Sequence, residues 1–473
     1  MRRKFSVFVL IVGLVFLLPE ALFSRQVDIT GIAPSYAGTE IDFYTYENYV
    51  SMSEEKLASC TVDSTGNFSV HFDLTDTRKV FSHLGIYMAY FYAEPGHSYS
   101  LVLPEREDKT MSQKLNPYFQ ETPYHLGLEN TNQQELNFQI VMFNDYYEPY
   151  YNKFAYNINS RSSKAEIDSM LNIFEKPFLK SSNEFFSNYR RYKIGLLKNV
   201  AFQQQSRSIS SEYFANQPVL YDNPAYMELF NLTYKEYFRH FGRTDYGKKI
   251  YTDIDEKKCF HCLDESLAQD DVLTDDTLRE FVILKNLYDE FYKDQFSRSA
   301  MLDILDTLIM DTPIPRHRGI GETIRDKVTK LLVGHAPPAF SLYNRDSTLV
   351  SLSDFKGQYV YLNFCICLTY SCIKEFEQLK ILNKQHGDKL KIVTIAFDEN
   401  FSSMVNFLKK NDYNWTFLYY GNQPDIMKEY DIRAYPTYYL IGPDGKLLAS
   451  PAPSPAENFE YFLFKIMRSK GDI

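Results

Sequence analysis

Apolar and polar residues alternate near the N-terminus. Phe68, Val70 and Phe72 take turns with Ser69, His71 and Asp73, the period of a strand with one buried face. Asp63-Ser64-Thr65-Gly66-Asn67 reads as a hairpin turn after the strand Leu57–Val62. Glu94-Pro95-Gly96 reads as a second turn, before a strand from Tyr99 to Leu103. Short strands at this spacing predict a small β-sandwich over residues 25–105. From 106 to 333 the pattern is helical. Ser163-Lys164-Ala165-Glu166 has the form of a capping box, followed by Ile167, Met170, Leu171 and Phe174 at helical spacing and closed by Pro177. Thr274 is placed to cap a second helix that buries Leu278, Phe281, Val282, Leu284, Leu287, Tyr288 and Phe291. Leu302, Leu305, Leu308 and Ile309 mark a third, and a last helix beyond Pro313 and Pro315 runs to about Val333. After a linker, Gly334-His335-Ala336-Pro337-Pro338, strands and helices alternate over 334–473. The expected order is strand 359–364, helix 371–385, strand 391–397, helix 401–410, strand 415–420, a short helix near Asp425, two antiparallel strands and a helix from Ala456. Such alternation predicts a sheet covered on both faces. The fold class is therefore multidomain: an N-terminal β-sandwich, a central all-α segment and a C-terminal α/β domain.

The leading segment changes the setting. Arg2-Arg3-Lys4 precedes 14 apolar-dominated residues from Phe5 to Leu18, with small residues Ala21 and Ser24 beyond. That run is short for a membrane span, which needs roughly 20 residues, and it has the layout of a secretory signal peptide over 1–24. The mature protein is expected in the cell envelope, in the periplasm of a cell with two membranes, with no stable membrane span after cleavage. The net charge of −10 and the lack of a basic run after Lys4 argue against a nucleic-acid partner. Six cysteines in 473 residues are too sparse for a disulfide-stapled scaffold.

Cys365, Cys367 and Cys372 cluster where the strand Tyr359–Phe364 gives way to a helix. The segment Thr369-Tyr370-Ser371-Cys372 lies at that junction, behind Asn363-Phe364. Further segments follow in order: Ala336–Leu342 and Leu352–Gly357 before it, Lys391–Ala396 after it, then Tyr435-Pro436-Thr437 and Pro443-Asp444-Gly445. Together they resemble the TlpA/ResA branch of the thioredoxin superfamily, envelope proteins related to AhpC/TSA. The resemblance implies a thioredoxin-like fold over 334–473 and a Cys-x-x-Cys at 369–372. Here Thr369 stands for the first cysteine and Cys372 keeps the second. Exchange begins with thiolate attack and later expels the same thiolate; a threonine hydroxyl does neither near neutral pH.

The resemblance implies a thiol-disulfide oxidoreductase relative that is single-cysteine or redox-inactive at this site. Cys372 would carry any remaining chemistry, polarised by Thr369 and the helix start, with no neighbouring sulfur to cap it. Pro436 with Tyr370 and Tyr435 would line a groove for thiol- or disulfide-bearing envelope proteins or peptides. One alternative is a non-enzymatic partner- or peptide-binding scaffold. Another is a peroxiredoxin-like thiol peroxidase using Thr369-x-x-Cys372, although Cys365 stands where its proline belongs and Arg433 is displaced from its arginine. Asn363 occupies a place where some thioredoxins bury a carboxylate, and an amide cannot act as base. A bridge from Cys367 to Cys372 is disfavoured by span. No cofactor or metal is expected. Cys259-Phe260-His261-Cys262 is a second Cys-x-x-Cys. If a helix starts at Asp253-Ile254-Asp255-Glu256, Cys259 falls beyond its first turn, and the pair is either reduced or a local disulfide rather than an active redox site.

Overall fold

A computed structural model of the protein describes residues 24–129, 131–156, 169, 171, 176–178, 180–202 and 206–473. The expected leader, apart from Ser24, lies outside the described residues, as does the capping box at 163–166 with Ile167, Met170 and Phe174.

The alternating segments form β1 (Arg25–Ile32), β2 (Glu40–Asn48), β3 (Ser53–Thr61), β4 (Asn67–Leu74), β5 (Arg78–Leu84), β6 (Tyr87–Ala93) and β7 (Ser98–Val102). Phe68, Val70 and Phe72 of β4 point inward as their period requires. The turn before β4 is held by the Asp63 carboxylate, which accepts the amides of Thr65 at 2.8 Å and Asn67 at 2.9 Å. Two more strands, β8 (Thr122–His125) and β9 (Gly127–Leu128), lie inside the stretch that reads as helical. They are too short to display a period, and their place comes from pairing with β6 and β7. The two sheets run β4-β1-β7-β9 and β3-β2-β5-β6-β8 around one apolar core.

The helical part comprises α1 (Met111–Lys114), α2 (Leu136–Tyr156), α3 (Glu184–Phe202), α4 (Ser206–Tyr213), α5 (Pro224–Thr233), α6 (Tyr237–Phe241), α7 (Lys249–Asp255), α8 (Phe260–Leu267), α9 (Asp276–Glu290), α10 (Arg298–Asp311) and α11 (Pro315–Thr329). Its core is rich in Tyr and Phe and takes in Phe81 and Tyr92 of the sandwich. Asp222 joins the two parts, accepting from Arg78 at 3.0 Å and Arg316 at 2.7 Å.

Two sequence expectations fail here for local reasons. Asp275, not Thr274, caps α9, its carboxylate taking the Leu278 amide at 2.8 Å. More consequentially, no helix runs from Asp253 through Cys259. α7 stops at Asp255, and Lys258 adopts φ 50°, the left-handed turn that commonly ends helices. The Cys259 amide bonds back to the Asp253 carbonyl at 3.0 Å. A new helix, α8, then starts with Cys259 as its cap.

The C-terminal domain has β10 (Ser341–Asn344), β11 (Leu349–Ser351), β12 (Tyr359–Cys365), β13 (Leu390–Ala396), β14 (Thr416–Tyr419), β15 (Thr437–Ile441) and β16 (Leu447–Ala449). Its helices are α12 (Tyr370–His386), α13 (Phe401–Lys410), α14 (Ile426–Glu429) and α15 (Phe459–Lys470). The sheet order is β11-β10-β14-β13-β12-β15-β16, with β12 parallel to β13 and antiparallel to β15. β12 is buried along its whole length, so both of its faces carry core. Tyr359, Tyr361 and Cys365 join one apolar cluster with α12, α13 and α15; Val360, Leu362 and Phe364 join the other with Tyr430 and Ile432. This is the thioredoxin-like sheet, with its central strand ending at the cysteine cluster.

Candidate functional site

The site is built where β12 hands the chain to α12. Thr369 is the cap residue of α12, so Cys372 falls on the third helical position. The turn into the helix is closed by Thr369, whose amide and hydroxyl reach the Ile366 carbonyl at 3.0 and 2.8 Å. Ile373 makes the first helical bond, to the Thr369 carbonyl at 3.0 Å. On the adjacent parallel strand Ala396 lies opposite Cys365. Two residues beyond each, Cys367 and Asp398 meet, the Cys367 amide donating to Asp398 Oδ1 at 3.2 Å.

Cys365, Cys367 and Cys372 are free thiols, all buried, and Cys372 has 0% exposure. The expectation that no sulfur neighbours Cys372 is overturned. The Cys365 thiol, acting as a donor toward the Cys372 sulfur, holds the Cys372 thiol below its ordinary value. Burial opposes this, while the Thr369 hydroxyl and the Ile366 backbone support it. The Thr369 hydroxyl has one proton, so it serves the sulfur or the Ile366 carbonyl at any moment. Burial pushes the Cys365 thiol well up, and its bond to Cys372 adds to that. Burial also raises Cys367, helped by the Asp398 charge. Of the three thiols, Cys372 gives up its proton first. Asp398 is 3% exposed and its Oδ2 has no hydrogen-bond partner; burial raises its carboxyl above the usual carboxylate value. Asn363, on the same face of β12, donates to Cys365 Sγ at 3.6 Å.

The residues expected to form a groove are only partly assembled as such. The Ser371 hydroxyl bonds the Tyr435 carbonyl at 3.3 Å, joining the start of α12 to the Pro436 loop. The Tyr435–Pro436 bond is cis. Tyr370 is 84% and Leu368 69% exposed, an apolar pair on the surface of this junction. The Tyr435 ring turns inward, its centroid 5.5 Å from that of Phe397 and its hydroxyl 3.3 Å from Met427 Sδ. Tyr435 thus presents its backbone, not its ring, to the start of α12. Arg433 is ion-paired with Asp431 at 2.9 Å, both half to two-thirds exposed. Among the described residues no group of three His, Cys, Asp or Glu side chains is placed to hold a metal. No helix among them is long and apolar enough to cross a membrane.

Comparison with known proteins agrees with this geometry. The AhpC/TSA family pattern matches residues 333–450. The chain is 29% identical over 142 residues to the thiol-disulfide oxidoreductase ResA of Bacillus thuringiensis subsp. konkukian, covering 30% of this chain and 82% of that protein. It is 30% identical over 125 residues to the thioredoxin-like protein YneN of Bacillus subtilis, covering 26% of this chain and 74% of that one. A solved thioredoxin domain of a thiol-disulfide oxidoreductase from Bacteroides vulgatus is 22% identical, with a TM-score of 0.27, covering 28% of this chain and 97% of that structure. The chain belongs, through its C-terminal domain, to the AhpC/TSA family, as a TlpA/ResA-like thioredoxin-fold protein.

Cys365 and Asp398 are the site residues that sequence reasoning missed. The period of β12 was the available signal for Cys365, since it puts that residue on the α12 face. For Asp398 the signal was an acid just past an apolar strand that ends level with β12.

Proposed function

We propose that the C-terminal domain is an envelope thioredoxin-like module that binds thiol- or disulfide-bearing proteins or peptides, with two-cysteine exchange lost at this site. The groove is the surface at Leu368, Tyr370 and Pro436. The chain reaches the envelope through its N-terminal leader. One observation carries the reading: the position at the helix cap, where an attacking sulfur would sit, holds Thr369, and the sulfur that remains is enclosed. An enclosed thiolate meets a protein disulfide only after local opening.

Alkylation of the native chain, mapped by mass spectrometry, tests this. Cys372 should stay unlabelled until denaturant is added, with a rate increase on the order of a hundredfold. Rapid native labelling that Cys372→Ser abolishes would instead make the site a single-thiol catalyst.

The lowered Cys372 thiol beside the Thr369 hydroxyl favours one second reading, the reduction of a small peroxide. Attack by the Cys372 thiolate would break the O–O bond, leaving Cys372 sulfenic acid and releasing water once protonated. The Cys365 thiol would then condense with it, releasing a second water, and two external thiols would reset the bridge, leaving as their own disulfide. Against this, Arg433 is engaged at Asp431, away from the thiol. Peroxide consumption by reduced protein, absent in Cys372→Ser, is the measurement.

A further inference from the structure

Cys259 and Cys262 lie in the helical domain, outside the site at α12. We propose that they form a second, redox-active site in the helical domain, one that oxidises the dithiol of a partner protein.

The chain breaks between α7 and α8. Because Lys258 turns left-handed, Cys259 is not a mid-helix residue but the cap of a fresh helix. The two cysteines are bridged, with Cα atoms 5.3 Å apart and a sequence separation of 3. The Cys262 amide donates to the Cys259 sulfur at 3.1 Å. Opening the bridge therefore leaves Cys259 with a donor already aimed at its sulfur, at the positive end of a helix. Both cysteines are half-buried rather than enclosed, and His261 between them is exposed. The basic neighbours each have an acidic partner: Lys257 meets Asp253 at 2.8 Å, Lys258 meets Asp303 at 2.9 Å and the His261 ring lies 3.0 Å from Asp311.

A purely structural staple explains this poorly. Stabilisation by a disulfide grows with the length of chain it closes, and this loop is at the short end. The residues it spans are already fixed by the cap and by the buried side chains of Phe260 and Leu263.

A partner thiolate attacks Cys259 Sγ, the Cys259–Cys262 bond breaks, and Cys262 leaves as a thiolate that takes up a proton. The partner's second thiolate then attacks its own sulfur in the mixed disulfide, expelling the Cys259 thiolate onto the waiting Cys262 amide. The partner loses two electrons and two protons and gains a disulfide, while this chain ends as a dithiol. A protein disulfide of more oxidising potential returns it to the bridged state by the reverse steps.

The test uses the full native chain. After equilibration in glutathione buffers of graded ratio and an acid quench, the 259–262 peptide is scored as bridged or alkylated by mass spectrometry. The expected result is a reversible two-electron transition with the near-ultraviolet dichroism unchanged, and a Cys262→Ser variant whose Cys259 thiolate attacks a disulfide-bonded peptide and stays trapped as a mixed disulfide, the peptide's other sulfur leaving as a thiolate. A bridge that stays closed in native protein under dithiothreitol, opening only in denaturant, would overturn the proposal. So would a Cys262→Ser variant that remains folded and traps nothing. Because Cys372→Ser leaves this transition untouched, failure here and failure of the groove reading can be told apart.

Discussion

Two helix starts in this chain hold the same layout and differ in the residue at the cap. α8 and α12 each carry a cap residue with a cysteine at the third helical position. At α8 the cap is Cys259, bridged to Cys262 and reachable from solvent. At α12 the cap is Thr369, and Cys372 is sealed beneath it against Cys365. The thioredoxin-like frame has the sheet, the Pro436 loop and the helix, with a threonine at the cap. The helical domain has none of that frame and holds both sulfurs at a helix start. A redox-capable Cys-x-x-Cys needs a sulfur at the cap, a donor for its thiolate and an open side; the surrounding fold selects the partner.

The largest change should come from making the two starts alike. Thr369→Cys restores a sulfur at the α12 cap, and insulin disulfide reduction should rise by roughly a hundredfold, because attack and expulsion of one thiolate become possible. If the gain fails to appear while the new cysteine labels readily, Cys365 and the Leu368–Tyr370 surface have altered the site beyond the missing sulfur.

The α12 site was largely legible in the sequence and the α8 site was not. The strand Tyr359–Phe364 and the helix behind it lie close to where the apolar pattern puts them, because each is long enough to show its period; the Pro436 loop lies where the family resemblance implies it. Thr369 and Cys372 follow from their position at that junction. The contact between Cys365 and Cys372 depends on how far the turn 366–369 folds back, which no pattern encodes. At α8 the acid run Asp253-Ile254-Asp255-Glu256 reads as a helix start but falls at a helix end. The deciding event is one left-handed residue, Lys258, which carries none of the glycine signal usual for that conformation. β8 and β9 escaped for a similar reason, since strands that short owe their existence to their neighbours.

The comparison sharpens further if enclosure at α12 depends on packing below Cys372. Phe376 is one turn further along the same face, fully buried among Phe407, Tyr413, Trp415 and Phe417, with ring centroids 5.5–6.0 Å away. Phe376→Ala should cost about 3–5 kcal/mol in urea unfolding of the C-terminal domain. It should also speed native alkylation of Cys372 and leave the Cys259–Cys262 transition where it was. Equal disturbance at both sites would mean that the two helix starts are not independent.

The smallest effect concerns the acid beside each site, and there the two regions should respond with opposite sign. Asp253, near α8, is 1% exposed but satisfied: Lys257 reaches Oδ1 at 2.8 Å and Ser266 reaches Oδ2 at 2.6 Å. Asp398 has one oxygen on the Cys367 amide and the other bare. Its folded-state carboxyl titrates above the ordinary 3.8. Between 3.8 and that raised value the folded state holds more protons than the unfolded one, so stability falls as pH rises through the window. At neutral pH the enclosed charge is a cost. Asp398→Asn keeps an acceptor for the Cys367 amide and removes the charge, so it should stabilise by about 1–3 kcal/mol at pH 7. The gain should shrink on acidification and vanish below 3.8, where the native acid is already protonated. Asp253→Asn should destabilise, because it breaks an ion pair and turns an acceptor into a donor facing Lys257 or Ser266. Urea midpoints for both variants across that pH range decide it. A loss of stability for Asp398→Asn at pH 7 would show that its charge is held by a donor, and would recast Asp398 as a proton acceptor for the thiols beside it.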